Sequence, residues 1–185
     1  AVALIAVASL VLGMGLPVTA SYIVLAVLAA PALSKLGVSL LGAHLLIFWY
    51  SQDANVTPPV CLAAYAASGI AGSSPLRTGM ESWKIAKGLY IIPLLFCYTP
   101  ILFEGPVWQV AETTAAAAMG MMALAAASEG RLLKPAGIPG RLCLGIAGGL
   151  LLWPLTASHI AGGIALAGVA LVQRTRGGSN LKEAL

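Results

Sequence analysis

A carboxylate, an amide and a hydroxyl stand on alternate residues at Asp53, Asn55 and Thr57, and two prolines, Pro58 and Pro59, follow at once. Hard cations take carboxylate, amide and carbonyl oxygens, so this run has the chemistry of a cation site. The prolines add backbone oxygens. Neither has an N–H to donate four residues back, so in a helix Pro58 would free the carbonyl of Ala54 and Pro59 that of Asn55. Thr57 and Pro58 each precede a proline and are pushed toward extended backbone. The flanks, Val38 to Tyr50 and Val60 to Ile70, are apolar. At membrane depth an unwound polar segment survives only inside protein or beside a polar cavity. Interrupted helices of this kind hold ions and substrates. Asp53 is the one acidic residue deep within an apolar run, and such a carboxylate is a functional candidate by default. The expected sodium or substrate site is Asp53, Asn55, Thr57 and Pro58, with Asp53, Asn55 and Thr57 as sodium ligands. The plainer reading makes Asp53 a helix cap or the partner of a lysine.

Gly13, Gly15 and Thr19 form a second candidate around Gly13-Met14-Gly15-Leu16-Pro17. Pro17 would free the carbonyl of Gly13, and the glycines permit unusual backbone angles. A hairpin tip there would expose carbonyls and amides toward a cavity; tight helix packing is the plainer alternative. Ser21 and Tyr22 are weaker candidates nearby. The glycine pair has no strand before it and no helix-opening context, which excludes a dinucleotide loop.

Other chemistries find little support. Gly69 to Ser74 lacks the Lys-Ser/Thr of an ATP-binding loop. No GxSxG elbow presents a nucleophile. Aspartyl-protease chemistry needs two carboxylates sharing a site, and only Asp53 lies deep. His44 and His159 have no ligand-spaced partners and read as satisfied or interfacial side chains. Cys61, Cys97 and Cys143 are far apart and read as free thiols, without a zinc or redox pair. An enzyme is not expected.

These residues sit in a chain that is 59% apolar and 9% charged, with mean hydropathy +0.94. A soluble domain carries roughly 25% charged residues, so an all-α integral membrane protein is expected. Basic residues cluster in short loops: Arg77, Lys84 and Lys87, then Arg131, Lys134 and Arg141, then Arg174, Arg176 and Lys182. That is the pattern of cytoplasmic loops, not of nucleic-acid binding. The chain opens on Ala1 and enters apolar sequence directly, unlike a signal peptide; it reads as the C-terminal part of a longer protein.

Five segments follow. Residues 1–33 form two short apolar arms around the Gly/Pro break, a re-entrant hairpin or broken helix ending near Pro31. Residues 37–72 form a crossing helix in two pieces. Residues 84–128 hold two membrane helices, Ile85 to Phe103 and Val107 to Ser128, with Glu112 near the interface and Trp83-Lys84 as an anchor. Residues 141–173 form a helical hairpin divided at Trp153-Pro154. Residues 174–185 are a polar tail.

Two long stretches carry a resemblance. Gly13-Met14-Gly15-Leu16-Pro17-Val18-Thr19-Ala20-Ser21-Tyr22-Ile23 and Asp53-Ala54-Asn55-Val56-Thr57-Pro58-Pro59-Val60 resemble the large membrane subunit of TRAP (tripartite ATP-independent periplasmic) transporters. Ser73-Ser74-Pro75-Leu76-Arg77-Thr78-Gly79 and Trp83-Lys84 are similar to its fused permeases, which work with TAXI-type solute-binding proteins. The resemblance spans Ala1 to Phe103. It implies an elevator-type fold of inverted repeats, each with a re-entrant hairpin and a broken helix. This chain would hold the second repeat plus accessory C-terminal helices. It implies a multi-pass permease of a bacterial or archaeal inner membrane, with the lipid bilayer as its solvent. Sodium would be the coupling ion, with no other cofactor, and the solute an organic acid delivered by a periplasmic solute-binding protein. The remaining partners would be the rest of the permease, namely the first repeat and the small membrane subunit region. By the same resemblance the hairpin-tip site falls on Gly13, Gly15 and Thr19, and the broken-helix site on Asp53, Asn55, Thr57 and Pro58. Many dicarboxylate-type members carry an acidic residue where this chain has Leu16-Pro17. The rival expectation is a structural membrane or channel subunit without its own transport site.

Overall fold

The structure, a computed structural model, describes residues 2–53 and 55–182, with side chains described as far as Thr175. The last three residues of the expected polar tail lie outside the described residues, as does Ala54 within the polar break. Among the described residues the chain is all-helical, apart from one isolated bridge between Arg131 and Pro135. It divides into two compact units, Ala1–Leu102 and Phe103–Leu185.

The first unit is built around α4. Its helices are α1 (Val2–Gly15), α2 (Val18–Leu28), α3 (Ala30–Lys35), α4 (Leu40–Asp53), α5 (Leu62–Ala71), α6 (Pro75–Ile85) and α7 (Ile92–Tyr98). Prolines set several starts. Pro17, Pro31, Pro75 and Pro93 each stand at or just before the first turn of a helix, where a missing N–H removes no bond. The arms α1 and α2 pack on each other and on α4. Val2, Ala6, Leu25, Leu33, Ala43, Leu46, Ile47 and Tyr50 make one buried cluster between them. Glycine permits close approach at Gly42, where an added Cβ would lie 2.7 Å from the Phe96 carbonyl oxygen on α7. Trp49 meets Phe96 edge to face with ring centroids 5.6 Å apart.

The single helix expected over Ile85 to Phe103 is instead three pieces: a 3-10 turn at Ala86–Tyr90, α7, and a second 3-10 turn at Pro100–Leu102. Two prolines explain this. Pro93 opens α7, and Pro100 forces Thr99 into extended backbone (φ -136°, ψ 153°), which ends it. The expected pair of helices over 84–128 therefore becomes short pieces in the first unit and one long helix in the second.

The second unit contains α8 (Val107–Glu129), α9 (Ile138–Leu152) and α10 (Thr156–Lys182). Pro154 cannot donate to the Leu150 carbonyl, so Trp153 N takes it at 3.3 Å and the chain turns between α9 and α10. Residues 142–172 are thus two helices that pack on each other, and α10 runs beyond Val172 into the sequence expected as tail. Small residues let the three helices close up. A Cβ on Gly148 would lie 3.0 Å from Gly120 O, and one on Gly162 would lie 2.8 Å from Ala147 O. Gly130 ends α8 in the left-handed conformation (φ 73°). Arg141 then donates to the unpaired carbonyls of that end, Nε to Ala127 O at 2.9 Å and a guanidinium NH2 to Ser128 O at 2.7 Å. Glu112 and His159, far apart in sequence, meet at 2.9 Å between α8 and α10. Val107–Glu129 and Thr156–Thr175 are long and apolar enough to cross a bilayer.

Candidate functional site

Helix α4 ends with Asp53 and α5 starts at Leu62, and residues 55–61 between them are non-helical. Its backbone is held by specific bonds. Asn55 N donates to Gln52 O and Val56 N to Asp53 O, each at 3.1 Å, closing the last turn of α4. Cys61 turns the chain in the left-handed region (φ 43°) and precedes α5. The carbonyl of Asn55, expected to be free because of Pro59, is not free: Ala63 N donates to it at 3.1 Å. The unwound loop folds back so that the first turn of α5 supplies the donor that proline lacks. Pro59 O likewise accepts from Tyr65 Oη at 2.9 Å. The Pro58–Pro59 peptide is cis.

The side chains of the run go to different places. Asp53 is only 2% exposed, and its Oδ2 is buried with no hydrogen-bond partner among the described residues. An orphaned carboxylate oxygen in the interior is costly. Asn55 donates from Nδ2 to the backbone oxygen of Gln52 at 3.2 Å and to its side-chain Oε1 at 3.5 Å. The Thr57 hydroxyl pairs with the Tyr90 hydroxyl, and Tyr50 Oη donates to Tyr90 O at 2.6 Å. These bonds tie the break to the 3-10 turn that follows α6. Sequence reasoning passed over Tyr50 and Tyr90. The available signal was Tyr50, one helical turn before Asp53 and so on its face.

The hairpin tip and the break do meet. A cleft of about 390 Å³ is lined by Gly13 to Val18 from the tip and by Asn55, Val60 and Leu62 from the break. Gly13 and Gly15 differ within it. A Cβ on Gly13 would lie 3.0 Å from Ser51 O and 3.1 Å from Ser51 Cα, so Gly13 is a point of close approach of α1 to α4. Gly15 has open space around its Cα. Thr19 lies elsewhere, on a cleft of about 430 Å³ between α2 and α4. Thr57 and Pro58 line a third, of about 330 Å³, with Leu10, Met80, Trp83 and Tyr90. The structure thus brings Gly13, Gly15 and Asn55 to one cleft and distributes Thr19, Thr57 and Pro58 over two others. No cluster of three or more His, Cys, Asp or Glu side chains suited to a metal occurs among the described residues.

The family model of the tripartite ATP-independent periplasmic transporter, DctM component, matches residues 1–102. The chain belongs to this family. No curated protein and no solved structure matches it. The DctM match ends where the first compact unit ends, at Leu102. Hairpin, break and all three clefts therefore lie inside the DctM portion, and α8 to α10 lie beyond it. DctM proteins are permease components of membrane transporters, which gives the chain its transport role and its setting among apolar helices.

Proposed function

We propose that the chain is the sodium-coupled permease part of a transporter that takes up an organic acid presented by a periplasmic solute-binding protein. The observation that carries this reading is the buried Asp53 carboxylate at the end of α4, with Oδ2 unpartnered, next to an unwound segment. A sodium ion supplies the missing partner. Asp53 brings the charge; Asn55 and Thr57, which bond Gln52 and Tyr90 in this structure, would have to swing toward it to add neutral oxygens, the Thr57 hydroxyl keeping a lone pair for a cation. Occupied, the break holds its shape against the hairpin tip, and the shared cleft then receives the solute carboxylate among the backbone groups of Gly13 to Val18. Sodium drives this step only by binding the solute-ready arrangement more tightly than the other.

The hairpin α1–α2 and the broken helix α4–α5 fit the second half of an inverted-repeat, elevator-type permease of the fused, TAXI-associated subgroup, in the inner membrane of a bacterium or archaeon. The first repeat and the small subunit region complete it, and α8 to α10 are accessory. Purified complete transporter tests the reading by thermal unfolding in sodium against potassium at equal ionic strength. Stabilisation by sodium alone, abolished in Asp53→Ala, is expected. Equal curves in both salts would remove sodium from this site and leave a structural or channel subunit.

A further inference from the structure

Among the described side chains, every cation of the second unit lies at one end. Arg131 and Lys134 stand in the loop after α8, Arg141 in the first turn of α9 and Arg174 one residue beyond Gln173 on α10. Gln173 fixes this end. Its Oε1 accepts from Leu133 N at 3.0 Å and from Lys134 N at 3.1 Å, which brings α10 onto the loop. All four cations are exposed, and none pairs with a carboxylate among the described residues. The bonds of Arg141 go to the neutral carbonyls of Ala127 and Ser128, so its charge is not cancelled. From Thr113 to Arg174 the sequence holds a single carboxylate, Glu129.

A bias of Lys and Arg toward one side orients a membrane protein as it inserts. That role needs no fixed loop, and this loop is fixed. Besides the Gln173 bonds, Ala136 N donates to Gly130 O at 2.7 Å. Between its two cations stands Leu133, 52% exposed, and Ile138 at the same end is 77% exposed. Helices α8 and α10 are long enough to cross a bilayer, so their shared end lies where hydrocarbon meets headgroups. Cations and bare apolar side chains together at that level match a molecule with an anionic head and an apolar chain. A free anion would leave the apolar side chains uncovered. A zwitterionic headgroup carries its own ammonium, which the clustered cations repel.

We infer that this end of the three-helix unit is a docking surface for anionic phospholipid. Arg131, Lys134 and Arg174 meet the headgroup, and Leu133 and Ile138 meet the acyl chains. Arg141 adds charge while it caps α8. The inference is independent of the sodium and solute reading, because it uses only residues beyond the DctM match.

Cys143, exposed in the second turn of α9, supplies a local reporter. The complete transporter, its other reactive thiols replaced by alanine, carries a bimane on Cys143 and sits in phosphatidylcholine nanodiscs. Brominated phosphatidylglycerol or brominated phosphatidylcholine is included in rising fractions, and quenching of the bimane is read. Half-maximal quenching should need at least about fivefold less of the anionic lipid, the worth of one cation at an anionic surface. Salt at about 0.5 M should shrink that ratio, since exposed charges are screened. Arg131→Gln/Lys134→Gln/Arg174→Gln, with Arg141 left to cap α8, should bring it near one. Arg131→Lys/Arg174→Lys keeps the charges and should keep the ratio. Equal quenching by the two lipids in the wild type overturns the inference, as does a ratio that neither salt nor the glutamine variant changes. A ratio abolished by millimolar glycerol phosphate would make this a soluble-anion site and overturn the lipid assignment.

Discussion

Gly13→Ala and Gly15→Ala put the same methyl group on α1 two residues apart, in opposite surroundings. At Gly13 the new Cβ would meet Ser51 O at 3.0 Å, Ser51 Cα at 3.1 Å and Ser51 C at 3.3 Å. All three are backbone atoms of α4, which cannot rotate aside as a side chain would. The arm must back away by a few tenths of an ångström along a buried contact. Overpacking of this kind costs about 1–3 kcal/mol. Alanine is favoured over glycine within a helix by up to about 1 kcal/mol, so Gly13→Ala nets about 0–2 kcal/mol of destabilisation. At Gly15 nothing lies within 4 Å, and only the propensity gain remains, reduced because Gly15 is the last residue of α1. At the middle of these ranges the two variants should differ by about 1.5 kcal/mol, Gly13→Ala the weaker. Thermal unfolding of the complete transporter, both variants side by side with wild type, measures it. Equal effects of the two substitutions, or a Gly13→Ala protein as stable as Gly15→Ala, would refute close packing of the hairpin tip on α4.

Tyr90→Phe removes the hydroxyl that pairs with Thr57 and keeps the Tyr90 carbonyl that accepts from Tyr50. It should cost about 1 kcal/mol and speed amide hydrogen exchange at Thr57, Val60 and Cys61, with exchange in α1 unchanged. In the second unit, Gly148→Ala would press on Leu124 at 2.8 Å and on Gly120 O at 3.0 Å, whereas Gly145→Ala meets nothing within 4 Å. The first should lower thermal stability by about 1–3 kcal/mol and the second should not. On α6, the hydrogen bond from Lys84 Nζ at 2.7 Å, and then its charge, hold the Glu81 carboxyl below the usual range. A depressed folded pKa contributes stability above the unfolded pKa and loses it as pH falls through the folded one. This pair is exposed and screened, so Glu81→Gln should leave neutral-pH unfolding unchanged and only flatten the acid-side slope.

The helical class and the places where helices stop were legible because proline and glycine act locally. Pro17, Pro58-Pro59 and Pro154 each coincide with an interruption, and no tertiary knowledge is needed to see why. The division of Ile85 to Phe103 was harder: Pro93 and Pro100 were visible, but kink and break look alike in sequence. Contacts between distant residues were not legible. Nothing local says that Ala63 N will return to the Asn55 carbonyl, that Tyr90 will reach Thr57, or that Gly13 will press on Ser51. For the same reason a run such as Asp53, Asn55 and Thr57 reads as one ligand set, although the chain leaves the helix after Asp53 and the side chains of Asn55 and Thr57 meet other neighbours. The polar cluster of Thr19, Tyr22, His44 and Gln52 left no trace in spacing, because its two halves come from separate helices.

Sodium-dependent uptake by the complete transporter in proteoliposomes, with its solute-binding protein, compared between wild type and Asp53→Asn, tests the central claim most directly. The asparagine keeps the size of the buried group and removes its charge. The sodium concentration for half-maximal uptake should rise at least about tenfold, the equivalent of one charge-assisted contact. An unchanged sodium dependence with uptake intact would show that the carboxylate at the end of α4 does not bind the coupling ion.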